Sequence, residues 1–172
     1  NELGVETGPV DVDYQAIQQW KDAVIDKLDG QVLDSLDHYG VEVIEGTARF
    51  ADSSTLQVDT DGDTRTLEFE TAIVATGSQP IEIPGLEYGK DRVISSREIL
   101  QVDEVPDEIV VVGGGYIGME AVTKFSKFGA RVKIVEALDR VLSEFEAEIV
   151  DSIQETSEMY SDDIYTSTLA QG

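Results

Sequence analysis

The residues with the clearest chemical potential are Gly113-Gly114-Gly115-Tyr116-Ile117-Gly118, a G-x-G-x-x-G run that directly follows the apolar stretch Ile109–Val112. This spacing suits a diphosphate. Gly113 permits a tight turn, Gly115 lets the backbone approach a pyrophosphate, and Gly118 allows a helix to pack closely on a strand. The helix that follows adds free N–H groups and the positive end of its dipole. A second apolar stretch, Arg131–Val135, ends at Glu136, which stands 18 residues beyond Gly118. A carboxylate roughly 20 residues past the glycines takes the ribose hydroxyls and repels a 2′-phosphate, so the pattern favours NAD(H) over NADP(H). Arg140 is the one nearby residue that argues the other way. Three glycines alone could equally mark a turn that only joins packed elements; the placed acid separates the two readings.

Other chemistry is scarce. The chain has no Cys, which excludes disulfides, thiolate nucleophiles and Cys-ligated metals within its 172 residues. Its single His, His38, falls on a polar stretch of an expected helix, where a surface or capping role fits better than a metal ligand or base. No metal site is expected. The 36 Asp and Glu against 12 Lys and Arg give a net charge of −24. Such a field repels nucleic acid and anionic membranes, so neither is an expected partner. The acids are scattered through periodic segments instead of forming a tail, which points to a solvated carboxylate surface suited to a high-salt interior. No apolar run approaches the roughly 20 residues of a membrane span, and the start does not resemble a signal peptide. A soluble, cytoplasmic protein is expected.

The positioning elements follow from periodicity. Ile17, Trp20, Val24, Leu28, Val32 and Leu36 recur every three or four residues, which predicts a helix over 14–39 with Asp11 or Asp13 capping it and Gly40 ending it. Gly30 marks a place where that helix could bend. From Val41 the period becomes two, predicting strands at 41–44 and 49–51. Strands at 55–60 and 64–70 flank Asp61-Gly62-Asp63, a hairpin signal. An apolar strand is expected at 72–76, an irregular connection at 77–92, and a short helix through Leu100 capped by Ser95 or Ser96. Beyond a boundary at 103–106, the order is a buried strand at 108–112, a helix at 116–128, a strand at 131–136, a helix at 146–160 and a strand at 164–168. That βαβαβ order belongs to a parallel sheet. A whole domain of this kind needs more strands, so truncation is expected.

By its own chemistry Thr71-Ala72-Ile73-Val74-Ala75-Thr76-Gly77-Ser78 is a strand ending in a small-residue turn, and nothing local assigns it a ligand. Its company does. Gln-Gln-Trp-Lys-Asp in a helix, Gly-Thr-Ala-Arg-Phe, a hairpin, Ala-Thr-Gly-Ser and Gly-Gly-Gly-Tyr-Ile-Gly-Met-Glu occur in that order. Over essentially the whole chain this resembles the pyridine nucleotide–disulfide oxidoreductases, and within them the dihydrolipoyl dehydrogenase branch. The resemblance implies an α/β fold made of partial FAD- and NAD(P)-binding, Rossmann-like domains with a small antiparallel β meander. Residues 1–102 would be part of the FAD domain and 103–172 the first half of an inserted NAD domain.

Carried over by position, the resemblance implies that Ala48, Thr76, Gly77 and Ser78 contact FAD. It implies NAD contacts for Gly113, Gly114, Gly115, Tyr116, Ile117, Gly118, Met119, Glu120, Glu136 and Ala170. Tyr116 could cover the nicotinamide pocket or simply cover the turn. The family's first FAD glycine motif, its redox Cys pair and its C-terminal catalytic His are not in these residues, and His38 is not that histidine by position. The implied parent enzyme passes electrons from dihydrolipoamide, carried by a protein of a 2-oxoacid dehydrogenase complex, to FAD and NAD+, and works as a homodimer. These residues alone are expected to be inactive, to bind NAD weakly, and to be prone to self-association. Two other readings stay open: a related flavin reductase of the mercuric or glutathione reductase type, and a non-catalytic NAD-binding module.

Overall fold

A computed structural model describes residues 8, 11–90, 92–150, 153, 161 and 163–171. The chain forms two compact units, Lys21–Gln79 on the one hand and Asn1–Trp20 with Pro80–Gly172 on the other. It is an α/β protein whose described residues form two three-stranded sheets, one antiparallel and one parallel.

The first helix, α1 (Tyr14–His38), contributes residues to both units. Asp13 caps it, accepting the Ala16 N–H at 2.9 Å. At the far end Gly40 takes φ +68°; its N–H donates to Asp37 O and that of Val41 to Leu36 O, both at 2.9 Å. This is the paired, left-handed ending that glycine makes cheap. The helix is continuous through Gly30. Its apolar stripe is open: Trp20 is 69% exposed, and Leu28 and Val32 are exposed too. The periodicity therefore set the helix, while nothing among the described residues covers the stripe beyond the half-buried Ile17 and Leu36.

In the Lys21–Gln79 unit, β1 (Thr47–Phe50), β2 (Thr55–Thr60) and β3 (Asp63–Glu68) form the meander in that order. Thr60 pairs with Asp63 across the turn, and Gly62 supplies φ +101°. Val58 is buried, and the Phe50 and Phe69 rings meet edge to face at 5.9 Å. Asp59 pairs with Arg49 and accepts the Thr64 hydroxyl at 2.7 Å. Two expected strands are absent. Residues 41–44 and 72–76 carry no strand pairing, and Ile73 is 91% exposed. Both read as strands because of their apolar residues, but a strand exists only against a hydrogen-bonded partner, and neither run is paired into a sheet.

The other unit holds β4 (Glu108–Val112), α2 (Tyr116–Lys127), β5 (Arg131–Val135) and β6 (Asp163–Tyr165). The strands run parallel in the order β4-β5-β6, with Glu108 beside Arg131 and Lys133 beside Asp163. Met119, Val122 and Phe125 on one face of α2 pack with Val132 and Ile134 of β5 and with Val141, Leu142 and Val150. The strand expected to be buried is covered on one face only: Ile109 and Val111 pack on the core, whereas Val110 and Val112 are exposed. Ser95 and Glu98 form a reciprocal cap, Ser95 N–H to Glu98 Oε2 at 2.7 Å and Glu98 N–H to Ser95 Oγ at 3.4 Å. The result is one 3₁₀ turn, Glu98–Gln101. Gln18 of α1 donates to the carbonyls of Leu100 and Val102, and Tyr14 packs edge to face on Phe128. The helix expected at 146–160 falls largely outside the described residues.

Candidate dinucleotide-binding site

The glycine run is the junction between β4 and α2. Gly113 takes φ +103°, and its N–H continues the ladder to Val135 O at 2.9 Å. Gly114 is buried. Its N–H donates to Glu136 Oε2 at 2.6 Å, and its carbonyl accepts the Leu142 N–H at 2.8 Å. Gly115 caps α2 with extended backbone, and a Cβ there would meet nothing within 4 Å. Gly118 is the opposite case: a Cβ would run into the Gly113 carbonyl oxygen and come within 3.2 Å of Val111 Cγ1. One glycine faces open space beside a helix N-terminus, whose first N–H groups have no partners within the helix. Another has no room for any side chain.

Glu136 follows β5 and is 9% exposed. Its backbone joins the end of β6, with its N–H to Tyr165 O at 2.8 Å and Thr168 N–H to its own carbonyl at 2.9 Å. Its side chain accepts from Gly114 and, at 2.7 Å, from Leu138 N–H. Two carboxylate oxygens offer about four acceptor positions, so two amides leave capacity for hydroxyls. Arg140 is held locally, its Nη2 donating to the carbonyls of Ser143 at 3.1 Å and Phe145 at 3.0 Å. Leu138, Val141 and Leu142, which shape this corner, carry no sequence signal; only the return of the chain after β5 brings them to the glycines.

Tyr116 and Ile117 are exposed on the first turn of α2, and Glu120, one residue past Met119, is exposed on the second. The Met119 side chain belongs to the core at 7% exposure. Tyr116, Met119, Glu120, Thr123, Lys124 and Phe145 border an open groove of about 500 Å³ along α2. Ala170 is half-buried after β6. In the Lys21–Gln79 unit, Ala48 sits in β1 opposite Val58, and Thr76, Gly77 and Ser78 are exposed in the run after β3, Gly77 with φ +72°. His38, in the last turn of α1, meets the Tyr39 ring at 5.2 Å. Among the described residues no group of three or more His, Cys, Asp or Glu is arranged to hold a metal ion, and no helix is long and apolar enough to cross a membrane.

Comparison with known proteins bears on this geometry. The sequence profile described as pyridine nucleotide-disulphide oxidoreductase matches residues 5–168. A dihydrolipoyl dehydrogenase of Halobacterium salinarum is 45% identical over 160 residues, covering 91% of this chain and 34% of that protein. One from Haloferax volcanii is 41% identical, covering 99% of this chain and 36% of its own length. One from Geobacillus stearothermophilus is 37% identical, covering 99% and 36%. The chain thus spans about a third of the relatives it matches. Among solved structures, the HOCl-induced flavoprotein disulfide reductase RclA of Escherichia coli matches at TM-score 0.81 and 26% identity, over 93% of this chain and 37% of that one. LpdA of Mycobacterium tuberculosis matches in fold at TM-score 0.85 and 24% identity, over 99% of this chain and 38% of that one.

Proposed function

Because the chain belongs to the pyridine nucleotide-disulphide oxidoreductase family, we propose that it is a segment of a FAD- and NAD-dependent dihydrolipoyl dehydrogenase. One observation carries the reading of its site: a glycine turn between parallel β4 and α2 with the Glu136 carboxylate buried against it. Residues 103–172 then form the first half of an NAD domain and residues 1–102 part of a FAD domain.

The residues fit an NAD pyrophosphate and ribose. The open side of Gly115 admits a ligand to the backbone, and the first turn of α2 presents N–H groups to anionic oxygens. Glu136 keeps acceptor capacity for ribose hydroxyls and opposes a 2′-phosphate, with Arg140 tied to its own loop. Gly113, Gly114 and Gly118 set the turn, Tyr116, Ile117 and Glu120 stand on its exposed side, and Ala170 is assigned to the adenine edge. Met119 supports α2 from the core. Toward FAD the fit is narrower: Ala48 offers its backbone, and Thr76, Gly77 and Ser78 an open turn with nothing within 4 Å of the missing Gly77 Cβ. When bound, flavin and nicotinamide supply the hydride chemistry; the residues here bind and orient them. The partner is a dihydrolipoamide-bearing protein of a 2-oxoacid dehydrogenase complex, the parent a cytoplasmic homodimer.

The test is the complete coding sequence, expressed and purified with its flavin. It should oxidise dihydrolipoamide with NAD+, and replacing NAD+ by NADP+ should lower kcat/KM about a hundredfold, or about 2.7 kcal/mol. A preference for NADP+ would refute the role given to Glu136. The likeness to RclA favours a second reading, another flavoprotein disulfide reductase. NAD(P)H-dependent disulfide reduction without dihydrolipoamide turnover would select it.

A further inference from the structure

Resting on the reading of Gly113–Gly118 and Glu136 as an NAD site, we propose that Glu136 is also a positioning residue that fixes the phosphate-binding turn, clamping the Gly114 peptide together with Leu142. Neither polar group of Gly114 is satisfied by a helix or a ladder. Its N–H goes to the Glu136 carboxylate at 2.6 Å and its carbonyl receives the Leu142 N–H at 2.8 Å. Both partners come from the short stretch after β5. The same stretch presses on the glycine, since Val141 Cγ1 lies 2.6 Å from where a Gly114 Cβ would stand.

The clamp itself is held in place. The other carboxylate oxygen of Glu136 accepts Leu138 N–H at 2.7 Å, so the side chain is fixed at both oxygens before any ribose arrives. Leu142 has φ +51°, a left-handed conformation that a residue with a side chain seldom takes. Such backbone persists where its surroundings over-determine it. Here the bond to Gly114 and the burial of the Leu142 side chain at 6% exposure do so. Without the Glu136 carboxylate a buried N–H loses its acceptor, the turn loosens, and a nucleotide must order it on binding.

The experiment uses the full chain as encoded, with the variants Glu136→Ala and Glu136→Gln. Each is titrated with NADH and with the NADH analogue whose adenosine carries neither the 2′- nor the 3′-hydroxyl. A carboxylate acting through the ribose alone weakens only NADH when removed. The clamp weakens the analogue as well, about tenfold in Glu136→Ala, and Glu136→Gln restores part of that, since its amide oxygen still accepts from Gly114 while its NH2 group gives up the Leu138 N–H. Amide hydrogen exchange without nucleotide gives a second readout: the Gly114 N–H should be protected in the parent and in Glu136→Gln, and should exchange about tenfold faster in Glu136→Ala. Unchanged affinity for the analogue together with unchanged Gly114 exchange overturns the clamp. Faster Gly114 exchange in a protein that never binds NADH upholds the clamp and overturns the NAD reading.

Discussion

At the scale of single residues, the three motif glycines are not interchangeable. Gly113 is needed for its positive φ, Gly118 for its lack of volume, and Gly115 faces open space. Gly118→Ala forces a methyl onto the Gly113 carbonyl and against Val111. Overpacking of this kind costs about 1–3 kcal/mol. We expect that loss in urea unfolding of the variant, with weakened NADH binding because the displaced carbonyl belongs to the turn itself. Unchanged stability would show that α2 can move off β4 freely. The spacing of the glycines and of Glu136 was legible from the sequence. That Glu136 reaches back to Gly114 was not, because 22 residues separate them and the contact exists only once β4 and β5 lie side by side.

At the scale of elements, the antiparallel meander is held by polar contacts as much as by its core. The Asp59 carboxyl is held below its ordinary value of 3.8, first by the Thr64 hydroxyl and then by Arg49. Asp52 is lowered likewise by the Ser54 N–H and the Thr55 hydroxyl. A carboxyl whose folded value is depressed contributes stability that is present above the unfolded value and lost as pH falls through the folded one. The melting temperature should therefore fall as pH drops below about 4, and Asp59→Asn should flatten part of that dependence. An identical acid profile in the variant would remove Asp59 from the account. Both groups are exposed, so the effect is small. Elements with their own punctuation are legible in the sequence. α1 has Asp13 before it and Gly40 after it, and the hairpin has Asp61-Gly62. Residues 41–44 and 72–76 have strand composition but no partner strand among the described residues, and composition alone does not make a ladder.

For the whole molecule, a net charge of −24 is the dominant long-range term. Its few cations are used locally, as where Glu108 pairs with both Arg131 and Lys133. Self-repulsion among the remaining carboxylates is screened as the Debye length falls from about 10 Å at 0.1 M salt to about 3 Å at 1 M. Raising KCl over that range should raise the melting temperature of the full chain, read by circular dichroism. A flat or falling curve would mean that the acidic surface carries no net repulsion in the folded state.

The sequence by itself determined the family resemblance, the α/β class, the placement of the glycine turn between a strand and a helix, and the carboxylate that goes with it. These are legible because each rests on neighbours in the chain: turn chemistry, periodicity and fixed spacing act over a few to some twenty residues. Only the tertiary structure decided that Arg140 is bound to its own loop, that Met119 belongs to the core, and that Leu142 and Glu136 grip Gly114 from both sides. Those facts depend on where the chain returns after β5. Burial and long-range hydrogen bonds are properties of two segments brought together, and no single stretch of sequence contains them.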